Sequence, residues 1–157
     1  MLPWLTEPGL LTARVRACCV SGMRLNLLSV TPAPLEPGLA WRLGVADRGC
    51  LYREVELCCG GQRWIYARSV FPDSTVREHP WLAELGGNGL GETLAALTEV
   101  QHEPLEYLEL DPMDDLALAA AHGAAGEARL WARRRRYRLA GGPILVQEVF
   151  LHVLCAP

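Results

Sequence analysis

The chain alternates between runs of period two and short stretches of helical spacing. The clearest run is Leu51-Tyr52-Arg53-Glu54-Val55-Glu56-Leu57-Cys58-Cys59, which meets Gly60-Gly61 and continues from Gln62 through Phe71. Two β-rich runs around a Gly-Gly pair predict a hairpin, and Pro72-Asp73 ends it. Arg24 to Val30 and Leu105 to Leu110 read as further strands. Leu130 to Leu139 and Ile144 to Leu154 read as a last pair, turned at Gly141-Gly142-Pro143. Helical spacing is briefer. Leu10 to Val15 follows the Pro8-Gly9 turn, and Trp81, Leu82 and Leu85 form a short stripe. After Gly86-Gly87-Asn88-Gly89, Leu90, Leu94 and Leu97 recur, with Glu92 near the helix start. Residues 31–40 contain Pro32, Pro34, Pro37 and Gly38 and are expected to be a loop. Asp111 to Gly126, rich in Ala, is expected to be a connection holding a helical turn. The sum is an α+β fold: an antiparallel sheet with few helices, in one domain over residues 1–157.

Composition narrows the function. Half of the residues are apolar and 21% are charged, enough for a packed core and too apolar for disorder. A net charge of −3 excludes a generally basic nucleic-acid binder. With no apolar run of membrane-spanning length and no signal-peptide pattern, the chain is expected to be soluble and cytoplasmic, without membrane insertion. All 15 basic residues are Arg. Schiff-base catalysis, a pyridoxal phosphate anchor and a phosphate-loop lysine are therefore excluded. The six cysteines (Cys18, Cys19, Cys50, Cys58, Cys59, Cys155) show no C-x-x-C spacing and no paired His. They are expected to be reduced, core-filling thiols, and no metal is expected. A small cofactor-free enzyme and a ligand-binding module both survive.

Charge is unevenly placed. Residues 84–115 hold nine of the 18 acidic residues and no Arg, whereas residues 129–138 hold six Arg and no acid. The Arg run reads best as a solvated strand face paired with neighbouring carboxylates, the alternative being an anion or nucleic-acid surface.

Two charges fall among apolar neighbours. Side chains alternate along a strand, so Arg53 shares a face with Val55, Leu57 and Cys59, while Glu54 and Glu56 point the other way. In the last strand Glu148 shares a face with Ile144, Val146 and Phe150, with Gln147 opposite. A buried charge costs several kcal/mol unless paired or solvated. Either Arg53 and Glu148 pair with each other or lie at a sheet edge, or they face a closed pocket. In the pocket, Arg53 grips an anionic ligand and Glu148 acts on it. Arg68, which shares a face with Trp64, Tyr66 and Val70, is a third candidate. Two Arg and one Glu amid aromatic and aliphatic side chains suit a small aromatic or cyclic carboxylate.

Trp4-Leu5, Gly9 to Arg14, Arg53-Glu54-Val55, Trp64 to Pro72, Leu90-Gly91, Leu130 to Arg134 and Gly142 to Leu151 occur in one order over nearly the whole chain. In this ordered set the chain resembles the chorismate pyruvate-lyases. The resemblance implies an antiparallel sheet of about six strands with helices on one side and flaps closing an internal cavity. It implies conversion of chorismate to 4-hydroxybenzoate and pyruvate for ubiquinone synthesis, by a monomer without metal or other cofactor, and inhibition by product. It puts catalytic roles on Arg53 and Glu148 and substrate contacts on Leu11, Arg53, Leu90, Glu148 and, more weakly, Arg68. Leu10 and Arg135 depart from the family pattern, standing where Ser and a small residue are common. The rival class is an effector-binding domain of transcription-regulator type with the same fold, binding a small carboxylate without catalysis; a third reading is a related lyase making a different hydroxybenzoate.

Overall fold

A computed structural model describes residues 1–123, 126 and 128–151. The chain opens with α1 (Leu2–Leu5) and α2 (Leu11–Cys18), followed by β1 (Met23–Pro34) and α3 (Pro37–Leu43). The hairpin β2 (Gly49–Cys59) and β3 (Gln62–Pro72) comes next, then α4 (Asp73–Glu78), a 3₁₀ turn (Pro80–Glu84) and α5 (Leu90–Ala96). The remainder is β4 (Gln101–His102), β5 (Glu106–Leu110), α6 (Asp115–Ala120), β6 (Leu130–Leu139) and β7 (Gly142–Phe150). The strands form one antiparallel sheet of seven, ordered β1-β2-β3-β7-β6-β4, with β5 also pairing β6. The expected end of the last strand at residues 152–154 lies outside the described residues.

The predicted loop at 31–40 is overturned. β1 runs on through Pro32 and Pro34, and Pro37 enters the first turn of α3. β1 is an edge strand, where a missing N–H costs no ladder bond, and proline at a helix start removes an amide without an intrahelical partner. α3 and α6 also cover the second face of the sheet, so the helices do not lie on one side only. There Leu43 of α3 packs with Val70 and Leu145, and Leu116 and Ala120 of α6 pack with Tyr66 and Val149. On the first face, α2 packs Leu11 and Val15 against Leu57 and Ile65, while α5 packs Leu90 and Leu94 near Phe71 and Ile144.

The hairpin turns as its Gly-Gly pair predicts, with φ of 56° at Gly60 and 81° at Gly61, the left-handed values of a two-residue turn. One residue later the ladder changes. Cys58 pairs with Arg63 but Leu57 pairs with Ile65, leaving Trp64 as an extra residue in a β-bulge. From there on, Arg53 lies opposite Ser69 and Glu54 opposite Arg68. At the other hairpin Gly142 packs tightly against α4. A Cβ there would clash with Thr75 Oγ1, and that hydroxyl donates to the Pro143 carbonyl at 2.8 Å.

The expectation of reduced cysteines fails at one pair. Cys19 and Cys59 form a disulfide across 40 residues, with Cα atoms 5.7 Å apart. Each comes from a different adjacent pair, and the fold sets the end of α2 beside the end of β2. Closing a loop of that length contributes about 4 kcal/mol in the chain-entropy account. Cys50 and Cys58 are buried free thiols, as expected, and Cys18 is an exposed one.

Candidate active site

Register places the candidate side chains. Arg53 of β2, Ser69 of β3, Val146 of β7 and Arg135 of β6 form one row across four neighbouring strands. The next row is Val55, Ala67, Glu148 and Arg133. All eight line one chamber, floored in its middle by small side chains and flanked by long charged ones. The roof is made by the N-terminal turns of two helices, Leu11-Thr12 of α2 and Leu90-Gly91 of α5. First-turn amides have no intrahelical acceptor, so both turns present donors to the chamber. The space open to the centres of water molecules is about 80 Å³.

Arg53 is 2% exposed. Its Nη2 donates to the carbonyls of Gly86 at 3.0 Å and Asn88 at 2.7 Å, in the loop before α5. Its buried Nε has no partner. Among the described residues no carboxylate pairs with it. Burial pulls its guanidinium below the ordinary value, though arginine keeps its proton throughout the working range. The loop thus holds a desolvated cation against the chamber with donor capacity to spare.

Glu148 does not pair with Arg53. Its Oε2 accepts from Arg133 Nε at 2.5 Å. Arg133 is buried, and its Nη1 donates to the carbonyls of Glu7 at 2.6 Å and Leu5 at 3.4 Å. This guanidinium therefore fastens the carboxylate and the N-terminal segment together. That segment is itself braced: Arg14 pairs with Glu7 and lies 4.8 Å over the Trp4 ring, and Trp4 meets Trp64 edge-on at 6.0 Å. Tyr137 completes the wall. Burial and the nearby Glu148 charge push its phenol up, so it stays a neutral hydroxyl.

Of the residues proposed from sequence, Arg53, Glu148, Leu11 and Leu90 meet in this chamber. Arg68 does not. It stands on the opposite face, bonded through both Nη atoms to Asp115 at 3.1 Å and lying 4.8 Å over the Tyr52 ring. The cause is the Trp64 bulge: a plain two-residue turn would set Arg68 opposite Arg53, and the extra residue sends it to the other face. Arg133 and Arg135 also line the chamber, which the reading of the Arg run as a single solvated face does not anticipate. Alternation divides it. Arg134 and Arg136 pair with Glu106 and Glu103 away from the chamber, as a carboxylate-paired face requires, whereas Arg133 and Arg135 face inward.

Among solved structures, the C-terminal domain of PhnF matches with a TM-score of 0.63 at 12% identity over 83% of each chain. A GntR-family transcriptional regulator from Bacillus cereus matches at 0.62 and 12% identity, over 82% of this chain and 91% of that one. These likenesses show the fold alone. In sequence, a probable chorismate pyruvate-lyase of Aromatoleum aromaticum is 40% identical over 95% of this chain and 83% of its own length. The chorismate pyruvate-lyase of Erwinia tasmaniensis is 33% identical over 96% of this chain and 78% of its own. The family model described as chorismate lyase matches residues 1–155, and the chain belongs to that family.

Proposed function

We propose that the chamber converts chorismate to 4-hydroxybenzoate and pyruvate, with Arg53 and Glu148 as the residues in contact with the reacting molecule. Membership of the family carries the reaction class. The observation that carries the assignment of residues is the charge of the lining: three guanidiniums, of Arg53, Arg133 and Arg135, face one carboxylate, that of Glu148. The surplus is two positive charges, and chorismate is a dianion with a small ring. Ser69, Ala67 and Val146 leave the middle of the floor open for that ring.

The reaction is an elimination. The ring carbon bearing the hydroxyl loses its proton, the adjacent ring C–O bond of the ether breaks, and enolpyruvate leaves with the bonding electrons. A proton returned to its methylene carbon gives pyruvate. The ring becomes aromatic, which supplies the driving force without metal or organic cofactor. Arg53 holds the ring carboxylate, fixing pose as well as charge. Glu148, set one row along and on another strand, is the group that moves the proton. The first-turn amides at Leu11 and Leu90 bind the ligand's remaining oxygens.

The lyase acts as a monomer in the cytoplasm and releases its aromatic product slowly, since the roof must open first. No helix among the described residues is long and apolar enough to cross a membrane. Incubation with chorismate in the presence of a chelator, followed by chromatography, tests the reading. Equal amounts of 4-hydroxybenzoate and pyruvate support it, and unchanged chorismate refutes it.

A further inference from the structure

We propose that Arg135 is the subsite for the second carboxylate of chorismate, the one on the enolpyruvyl arm, and that pyruvate leaves past it. The inference rests on the lyase reading and adds a specificity-determining residue to it. Arg53 and Arg135 close the two ends of one cross-strand row, with Ser69 and Val146 between them. Three strand spacings set their backbones roughly 14 Å apart. Two long side chains reaching inward from those ends leave room for a ring with an acid group toward each.

The third guanidinium of the chamber is taken, because Arg133 is bonded to Glu148 and to the carbonyls of Leu5 and Glu7. Arg135 is not. Its Nε is shielded from solvent without a hydrogen-bond partner, and among the described residues no carboxylate pairs with it. Its polar side-chain neighbour is the neutral Tyr137, with which it shares a hydrogen bond, so its positive charge is left without a counter-charge. A half-buried cation without a carboxylate partner suits an anion that arrives with the ligand.

Position assigns which anion. Arg135, Tyr137, Leu10 and Gly91 line both the chamber and an adjoining groove that continues past Pro8, Leu97 and His102. Arg135 therefore stands in the partition between the two spaces, whereas Arg53 is held from the loop before α5. The ring carboxylate, kept in the product, belongs at the inner cation. The arm that is cut off belongs at the partition, where the three-carbon fragment has a way out.

The test compares chorismate, which has both carboxylates, with 4-hydroxybenzoate, which has one. Arg135→Met and Arg135→Gln are expected to raise KM for chorismate about 10- to 100-fold, the scale of a lost charge-assisted hydrogen bond, with kcat changed little. The inhibition constant of 4-hydroxybenzoate should move less than about threefold, which also certifies the fold. Arg135→Lys should recover part of the loss. An unchanged KM for chorismate, or an equal rise in the inhibition constant of 4-hydroxybenzoate, overturns the proposal. If the unsubstituted protein makes no 4-hydroxybenzoate from chorismate, the lyase reading fails instead.

Discussion

Glu148→Gln separates the two tasks that one carboxylate performs. The substitution keeps an oxygen able to accept from Arg133 Nε and removes both the negative charge and the ability to carry a proton. Its structural cost follows from exposure. The Arg133 side chain is 4% exposed and that of Glu148 21%. Removing one partner from a fully buried pair costs about 3–5 kcal/mol, and losing an exposed pair about 0–1 kcal/mol. With one member partly wet and a hydrogen bond retained, about 1–2 kcal/mol is expected, a fall in Tm of roughly 3–8 °C for a domain of this size. The chemical cost is larger. A positioned acid or base contributes about 10²- to 10⁴-fold, or roughly 3–5 kcal/mol of barrier. The assay follows chorismate loss and 4-hydroxybenzoate gain by chromatography, beside calorimetric binding of 4-hydroxybenzoate and a melting curve. Turnover should drop by that factor while 4-hydroxybenzoate still binds within about tenfold. Turnover within about threefold of the parent would refute the proton-moving role. A collapse of binding and melting temperature together would leave Glu148 with an architectural role only.

Three further outcomes are expected. Arg53→Ala should weaken 4-hydroxybenzoate binding by about 100-fold or more, since a desolvated charge-assisted contact is removed; unchanged affinity by titration calorimetry would remove Arg53 from the ligand. Progress curves should slow as 4-hydroxybenzoate accumulates or is added, and curves insensitive to it would mean that the roof does not retain product. Burial pushes the Cys50 thiol up to about 11 from 9.0. The unfolded chain then loses this proton first, so the group makes stability fall as pH rises from about 9 to about 11 and has no effect below that window. Denaturant melts of Cys50→Ala and parent should diverge across that range, and parallel pH profiles would contradict it.

How far the site was legible depends on how far each inference reached along the ladder. Within one strand, period two was enough: Arg53 and Glu148 each stood out against apolar neighbours, and both face the chamber. Between strands it was not. Gly60-Gly61 announced a turn, but nothing in Gln62-Arg63-Trp64-Ile65 announces that Trp64 is supernumerary, and that residue alone decides the face of Arg68. The Arg run taken as a whole hides what the alternation applied to Arg53 reveals, that it has two faces. Arg133 and Arg135 were within reach of that argument, although which half turned inward required the sheet. Pro32 and Pro34 misled because their reading as loop depended on whether the strand had a neighbour on both sides. The Cys19–Cys59 bridge needed the three-dimensional path of the chain, since neither adjacent pair points to the other.

The seam at Arg133 also bears on the order in which the molecule is completed. Its guanidinium reaches carbonyls 126 and 128 residues earlier in the chain. The segment at residues 5–7 therefore cannot be fastened through Arg133 until β6 exists, and contacts this remote in sequence are slow to form. Synthesis proceeds towards the carboxyl end, so this segment is locked late, and the chamber becomes whole only once β6 and β7 have been made.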